Sequence, residues 1–190
     1  FAGNRIFISP EKLADDGLLD TEILGKYRYT GPETSADYRY TDEIMKNLIR
    51  MSWQRYEDNV QKYSYLEGDY SDFINREAFW LRDHALFTIL KSDFEGLPWN
   101  MWPEALALRD QSALENYMRQ KGKDEEIELV LFEQFIFDRQ WRAFRRFCND
   151  RGISLMGDMP MFAAYDSADV WSNRDLFDLD PQGSPNKVAG

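Results

Sequence analysis

From residue 125 to 149 the chain carries a stripe of Ile127, Val130, Leu131, Gln134, Phe135, Trp141, Phe144 and Cys148 at three- and four-residue steps. That period puts the stripe on one side of an α-helix. Gly152 follows as a C-terminal stop, and residues 153–156, Ile-Ser-Leu-Met, read as a short buried strand. A long helix, a glycine and an apolar strand make half of an α/β barrel unit. The strand runs into Gly157-Asp158-Met159-Pro160. A carboxylate is costly to bury without a partner, and barrels carry their chemistry at the carboxyl ends of their strands. Asp158 is therefore expected at the mouth of the core, where it can meet a polar ligand or an arginine from a neighbouring strand.

The residues before that unit read as mostly helical. Ser9 is a plausible N-cap with Pro10 at the first helical position, for a short helix ending near Gly17. Residues 27–40 are rich in Tyr, Gly, Pro, Thr and Ser and read as a loop. Thr41 or Asp42 can cap a helix over 42–56, with Ile44, Leu48, Met51 and Tyr56 on one face. Residues 63–70 are less regular, and Ser71 or Asp72 precedes a helix over 73–92. There Ala78, Phe79, Leu81, Ala85, Leu86, Ile89 and Leu90 leave a narrow polar face, which predicts a largely buried helix. Trp99-Asn100-Met101-Trp102-Pro103 reads as a tight aromatic turn. Helices are expected from Pro103-Glu104 to about Asp110 and again from near Ser112. The organisation predicted is an opening loop (1–20), a mainly helical region (21–150) and a strand, loop and short helix (151–190). The fold class is mostly α with α/β elements.

Charge narrows the partners. The 190 residues hold 34 acidic and 23 basic side chains, a formal charge of −11. Duplex binding needs clustered Lys and Arg. The nearest candidate is Arg139, Arg142, Arg145 and Arg146, which share a helix with Glu133, Asp138, Asn149 and Asp150 and read as a solvated face. Nucleic acid and anionic membrane are therefore poor partner expectations, and a neutral ligand stays open. The one cysteine, Cys148, permits no internal disulfide and fits a reducing compartment. No apolar run is long enough to span a bilayer, and residues 1–13 lack the pattern of a signal peptide. Phe1 is not a start methionine, and Val188-Ala189-Gly190 carries no stop signal; the chain reads as a segment of a longer protein.

Five blocks stand in order along the chain: Phe1-Ala2-Gly3-Asn4, followed by Arg5; residues 80–91, WLRDHALFTILK; residues 99–110, WNMWPEALALRD; residues 132–141, FEQFIFDRQW; and residues 157–190, from GDMPMFAAYDSADVW to VAG. Together they resemble one family, the 4-α-glucanotransferases called amylomaltases or disproportionating enzymes, with Arg5 where the family has proline and His84 where it has tyrosine. The resemblance implies part of a (β/α)8 barrel, a TIM barrel, carrying a helical insertion. It also implies transfer of α-1,4-glucan segments between maltooligosaccharides by a retaining double displacement, in the cytoplasm and without a cofactor. In the family the nucleophile and the acid/base come from motifs downstream of Val-Ala-Gly. Both are thus expected beyond Gly190, and these 190 residues alone are expected to be inactive. The alternatives are a non-catalytic glucan-binding or interaction module, or an α-glucan hydrolase on the same barrel.

Within the chain, the substrate-binding candidates are Asp158 and Trp171. For Asp158 the resemblance implies a non-covalent contact near the cleaved bond, and the alternative is a carboxylate capping a turn. Trp171 can offer its indole face to a sugar or fill the core. In Asp166-Ser167-Ala168-Asp169 the simpler reading is a helix start, with Asp166 as N-cap and Asp169 in the first turn. His84 reads as a structural histidine. Asp178 and Asp180 read as a turn, since the calcium-loop pattern is missing, and with one His and one Cys no metal site is expected. Part of a barrel leaves apolar faces uncovered, which predicts self-association of the segment.

Overall fold

The structure is a computed structural model that describes residues 2–27, 29–31, 34–158 and 161–187. Expectations that fall on Phe1, Arg28, Pro32, Glu33, Met159, Pro160 and the Val188-Ala189-Gly190 end lie outside the described residues. The chain divides into two compact units, Phe1–Ala78 with Leu131–Met156, and Phe79–Val130 with Gly157–Gly190.

In the first unit, α1 (Pro10–Asp15) starts as its sequence dictates, with the Ser9 hydroxyl accepting the Lys12 N–H at 3.2 Å and Pro10 in the first turn. After α2 (Thr21–Lys26), α3 runs over Tyr38–Asp58. It begins four residues earlier than the 42–56 expectation because Asp37 is the cap, accepting the Tyr40 N–H at 2.9 Å. Met45, Leu48, Ile49, Ser52, Trp53 and Tyr56 form its buried face.

The next helix, α4, is continuous over Ser64–Asp93. The irregular stretch expected at 63–70 is absent, and Ser71 and Asp72 are interior residues rather than caps. Tyr63 and Leu66 are buried and Phe73 follows at helical spacing, so the apolar face begins earlier than expected. Helix α7, Lys123–Asn149, contributes its C-terminal part to the first unit. Phe132 and Phe135 meet Trp53, Tyr56, Tyr70 and Phe73 there, with ring centroids of neighbouring pairs 5.1 to 6.3 Å apart. Such aromatic pairs add about 0.5–1.5 kcal/mol each beyond the area they bury.

Two glutamines of α7 hold the opening segment. Gln134 Oε1 accepts the Gly3 N–H at 2.8 Å, and its Nε2 donates to the Gly3 carbonyl at 3.0 Å. Gln140 repeats the pairing on Ser9, at 2.7 and 3.2 Å. A side-chain amide thus replaces a neighbouring strand, satisfying a peptide's donor and acceptor together. Gly3 has to be glycine, because a Cβ would sit 2.1 Å from the Phe137 ring.

Three expectations about this region are corrected. Residues 153–156 form no strand: Ile153, Leu155 and Met156 are exposed. A strand is held by ladder partners, and the only sheet-like pairing among the described residues is an isolated bridge between Leu179 and Pro185. The Ile153 N–H instead donates to the Cys148 carbonyl at 3.0 Å, closing α7 around Gly152, whose φ is 72°. On α7 itself, Trp141 and Phe144 are exposed while the rest of the stripe is buried. The arginine face is solvated at Arg142, Arg145 and Arg146, but Arg139 pairs with Asp16 and Glu133 is buried beside Arg5.

In the second unit the C-terminal part of α4 buries Leu81, Ala85, Leu86, Phe87, Ile89 and Leu90. Ala78 and Phe79 are exposed, so α4 is less buried than its composition predicts. Glu95 and Gly96, both at positive φ, turn the chain after α4. A 3-10 turn at Trp99–Met101 leads to α5 (Glu104–Ala107) and α6 (Gln111–Met118), which is capped by Asp110 through the Ala113 N–H at 2.8 Å. The last helix is α8, Ala168–Ser172. Phe87, Phe94, Trp102 and Trp171 form the aromatic core of this unit. Residues 178–186 make the turn expected of Asp178 and Asp180, with Asp180 accepting the Ser184 N–H at 2.8 Å.

Candidate functional site

Asp158 is exposed, and no hydrogen bond ties it to a described residue. Residues 161–164 are exposed too and make no hydrogen bond among the described residues. The chain is caught again at Tyr165 and Asp166. The Tyr165 carbonyl accepts the Trp99 indole N–H at 2.8 Å, and its ring lies 5.4 Å from that of Trp99. The Tyr165 hydroxyl donates to the Gly183 carbonyl at 2.7 Å. Burial pushes the Tyr165 phenol above its ordinary pKa, and Asp180 and Asp166 add to this. It therefore remains a donor at neutral pH.

Asp166 is not the cap of α8. Ser167 is: its hydroxyl accepts the Val170 N–H at 3.3 Å, and Asp169 stands in the first turn as expected. Asp166 instead accepts the Trp99 backbone N–H at 3.2 Å and forms an ion pair with Lys91 of α4. Lys91 also donates to the Leu97 carbonyl at 3.0 Å. Local cap preference could not reveal this, because the partners lie 67 and 75 residues away in sequence. The one usable signal was a leftover: two adjacent cap-type residues preceded a helix that needs one.

Trp171 is fully buried. Its indole N–H donates to the Leu106 carbonyl at 3.1 Å, Phe87 and Trp102 pack near it, and the Arg109 guanidinium lies 4.3 Å from its ring centroid. Of the two candidates, then, Asp158 is presented to solvent and Trp171 fills the core. His84 is half-buried on α4, its ring 5.7 Å from that of Trp80. Among the described residues no group of three or more His, Cys, Asp and Glu side chains could hold a metal ion. Nor is any described helix long and apolar enough to cross a membrane.

This arrangement sits in a recognisable class of enzyme fold. The amylomaltase from Streptococcus agalactiae, solved in complex with acarbose, superposes with a TM-score of 0.88 at 27% identity, over 100% of this chain and 37% of that one. The 4-alpha-glucanotransferase of Aquifex aeolicus is 37% identical over 191 residues, covering 100% of this chain and 36% of its own length. That of Thermus thermophilus is 36% identical over 190 residues, again covering 100% of this chain and 36% of its own length. Residues 1–188 match the 4-alpha-glucanotransferase family, and the chain belongs to that family. It spans 36% of the length of those two relatives.

Proposed function

We propose that the protein containing these residues is a cytoplasmic 4-α-glucanotransferase of α-glucan metabolism. It transfers α-1,4-glucan segments between maltooligosaccharides, and the family match over residues 1–188 carries this reading. The chemistry is a retaining double displacement. One carboxylate attacks the anomeric carbon while a second carboxyl protonates the leaving oxygen. The second group then takes the proton from the acceptor's 4-hydroxyl as the new bond forms. This needs two carboxyl groups about 5 Å apart and no cofactor. We assign both to parts of the protein outside residues 1–190.

Within the chain, Asp158 is the residue for the sugar. An ionised carboxylate accepts hydrogen bonds from sugar hydroxyls, and an exposed loop suits that role. In a (β/α)8 barrel completed by the rest of the protein, Asp158 belongs at the mouth, where such barrels carry their chemistry. Trp171, fully buried, acts on the site only through the core that supports α8. The test is to incubate the product of the full reading frame with maltotriose and separate the sugars. Longer chains plus glucose support transfer. Glucose and maltose alone mean that water is the acceptor and the protein is a hydrolase. Unchanged maltotriose leaves a glucan-binding or interaction module.

A further inference from the structure

We propose that the C-terminal half of α7 carries a binding site for a sugar phosphate, with Arg142, Arg145 and Arg146 on the phosphate and Asn149 on the sugar hydroxyls. These four side chains line a cavity of about 500 Å³ in the first unit. They stand at i, i+3, i+4 and i+7, so one face of the helix presents all of them. No carboxylate lines this cavity among the described residues. Two smaller cavities share Arg146, and both contain acids: Asp15 and Asp16 in one of about 250 Å³, and Asp69, Asp72 and Asp138 in one of about 200 Å³. Of the three spaces, the largest is the one in which the guanidinium charge is unopposed.

The charge balance of this face sets it apart from an ordinary solvated helix end. Arg142 pairs with Asp138 at 2.9 Å, but Asp138 also accepts Arg76 at 2.8 Å, so one carboxylate serves two guanidinium groups. Arg145 and Arg146 have no ion-pair partner among the described residues, in a chain whose formal charge is −11. Like charges three and four residues apart on a helix repel, and a compact anion between them removes that repulsion. The helix dipole does not account for the cluster, because it favours cations in the last turn only. Arg146 stands in that turn, whereas Arg142 and Arg145 precede it. A guanidinium stays charged at every working pH and meets phosphate oxygens through paired N–H donors. A phosphate monoester carries about −1.5 to −2 charges at pH 7, which matches the two unpaired arginines. The cavity is larger than a phosphate group needs, and the Asn149 amide, with donors and an acceptor, suits hydroxyls beside it.

The experiment uses the product of the full reading frame, with glucose 6-phosphate as the probe and calorimetry at low ionic strength as the readout. Arg145→Gln and Arg146→Gln are the test variants. Both side chains are exposed, so neither change opens a core cavity, and near-UV circular dichroism is expected to be unaltered. Each variant is expected to weaken glucose 6-phosphate about tenfold, the scale of one lost charge-assisted hydrogen bond. Arg145→Lys keeps the charge and loses the fork, so its loss is expected to be smaller. Arg119→Gln, whose arginine pairs with Glu115 outside the cavity, is expected to change nothing. Inorganic phosphate is expected to bind through the same arginines but more weakly, and the affinity for glucose is expected to be indifferent to them. No binding of glucose 6-phosphate, or binding that both glutamine variants leave unchanged, overturns the proposal. Inorganic phosphate held as tightly as glucose 6-phosphate overturns it as well, because the site then takes an anion and not the sugar.

Discussion

The Arg109 guanidinium lies 4.3 Å from the centre of the Trp171 ring, while its Nη2 donates to Asp83 of α4 at 2.7 Å. Arg109 holds this place at a φ of 61°, a conformation that costs a residue with a Cβ about 1 kcal/mol or more. The stacking and the ion pair offset that strain. Arg109→Ala keeps the strain and loses both contacts, so it is expected to lower stability by about 2 kcal/mol. Urea midpoints check this, with near-UV circular dichroism reporting the loss of fixed aromatic packing. A midpoint equal to that of the unaltered chain would mean that Arg109 merely lies over the ring.

Gly183→Ala is expected to be damaging for two reasons. Gly183 has a φ of 88°, and an added Cβ would come 2.6 Å from the Trp99 ring. The backbone part costs about 1–2 kcal/mol, and the overlap forces the indole away from Tyr165 as well. Thermal melting shows the first effect. Faster exchange of the Trp99 indole proton shows the second.

Two acidic groups give opposite pH responses. Burial pushes the Glu133 carboxyl above its ordinary pKa, against the opposing pull of Arg5. Its contribution to stability is thus fully present below the unfolded pKa and is lost as pH rises through the raised folded value. Glu133→Gln should match the parent at about pH 4 and gain on it toward neutrality. For Asp93, burial works upward, but hydrogen bonds from Lys123 and Tyr117 outweigh it and hold the carboxyl below its usual range. Its contribution is present above the unfolded pKa and is lost as pH falls through the lowered folded value. Asp93→Asn should therefore be less stable at neutral pH, with the difference closing in acid. Urea midpoints of the two variants across pH 3 to 8, roughly the span in which carboxylates titrate, separate these trends.

What could be read from the chain followed local rules. The Ser9 cap, the Gly152 stop and the buried Ile127-to-Phe135 face of α7 all depend on residues a few positions apart, and all are in place. The strand at 153–156 was misplaced because a strand's existence depends on partners that its own sequence does not name. The start of α3 was misplaced because Asp37 outcompeted equally suitable caps four and five residues later. The exposure of Asp158 accords with its place after an apolar segment. The grip of Lys91 and Trp99 on Asp166 was not legible in the sequence, because ion pairs across tens of residues leave no periodic trace.

The exposed rings of Trp141, Phe144 and Phe147 on α7, with Met156 beyond, make an apolar surface that water solvates poorly. The 190-residue chain by itself is expected to self-associate, with a sedimentation mass that rises with concentration. Phe144→Asp is expected to shift it toward monomer. A single monomeric species at every concentration would contradict this.

The most direct measurement is label transfer. The product of the full reading frame is incubated with maltotriose and isotopically labelled glucose, and the new bonds are read by NMR. Labelled glucose is expected at the reducing ends of longer chains, joined through α-1,4 bonds, since a double displacement retains configuration. Label that stays in free glucose while maltotriose is split would contradict it, because water rather than sugar would then be the acceptor.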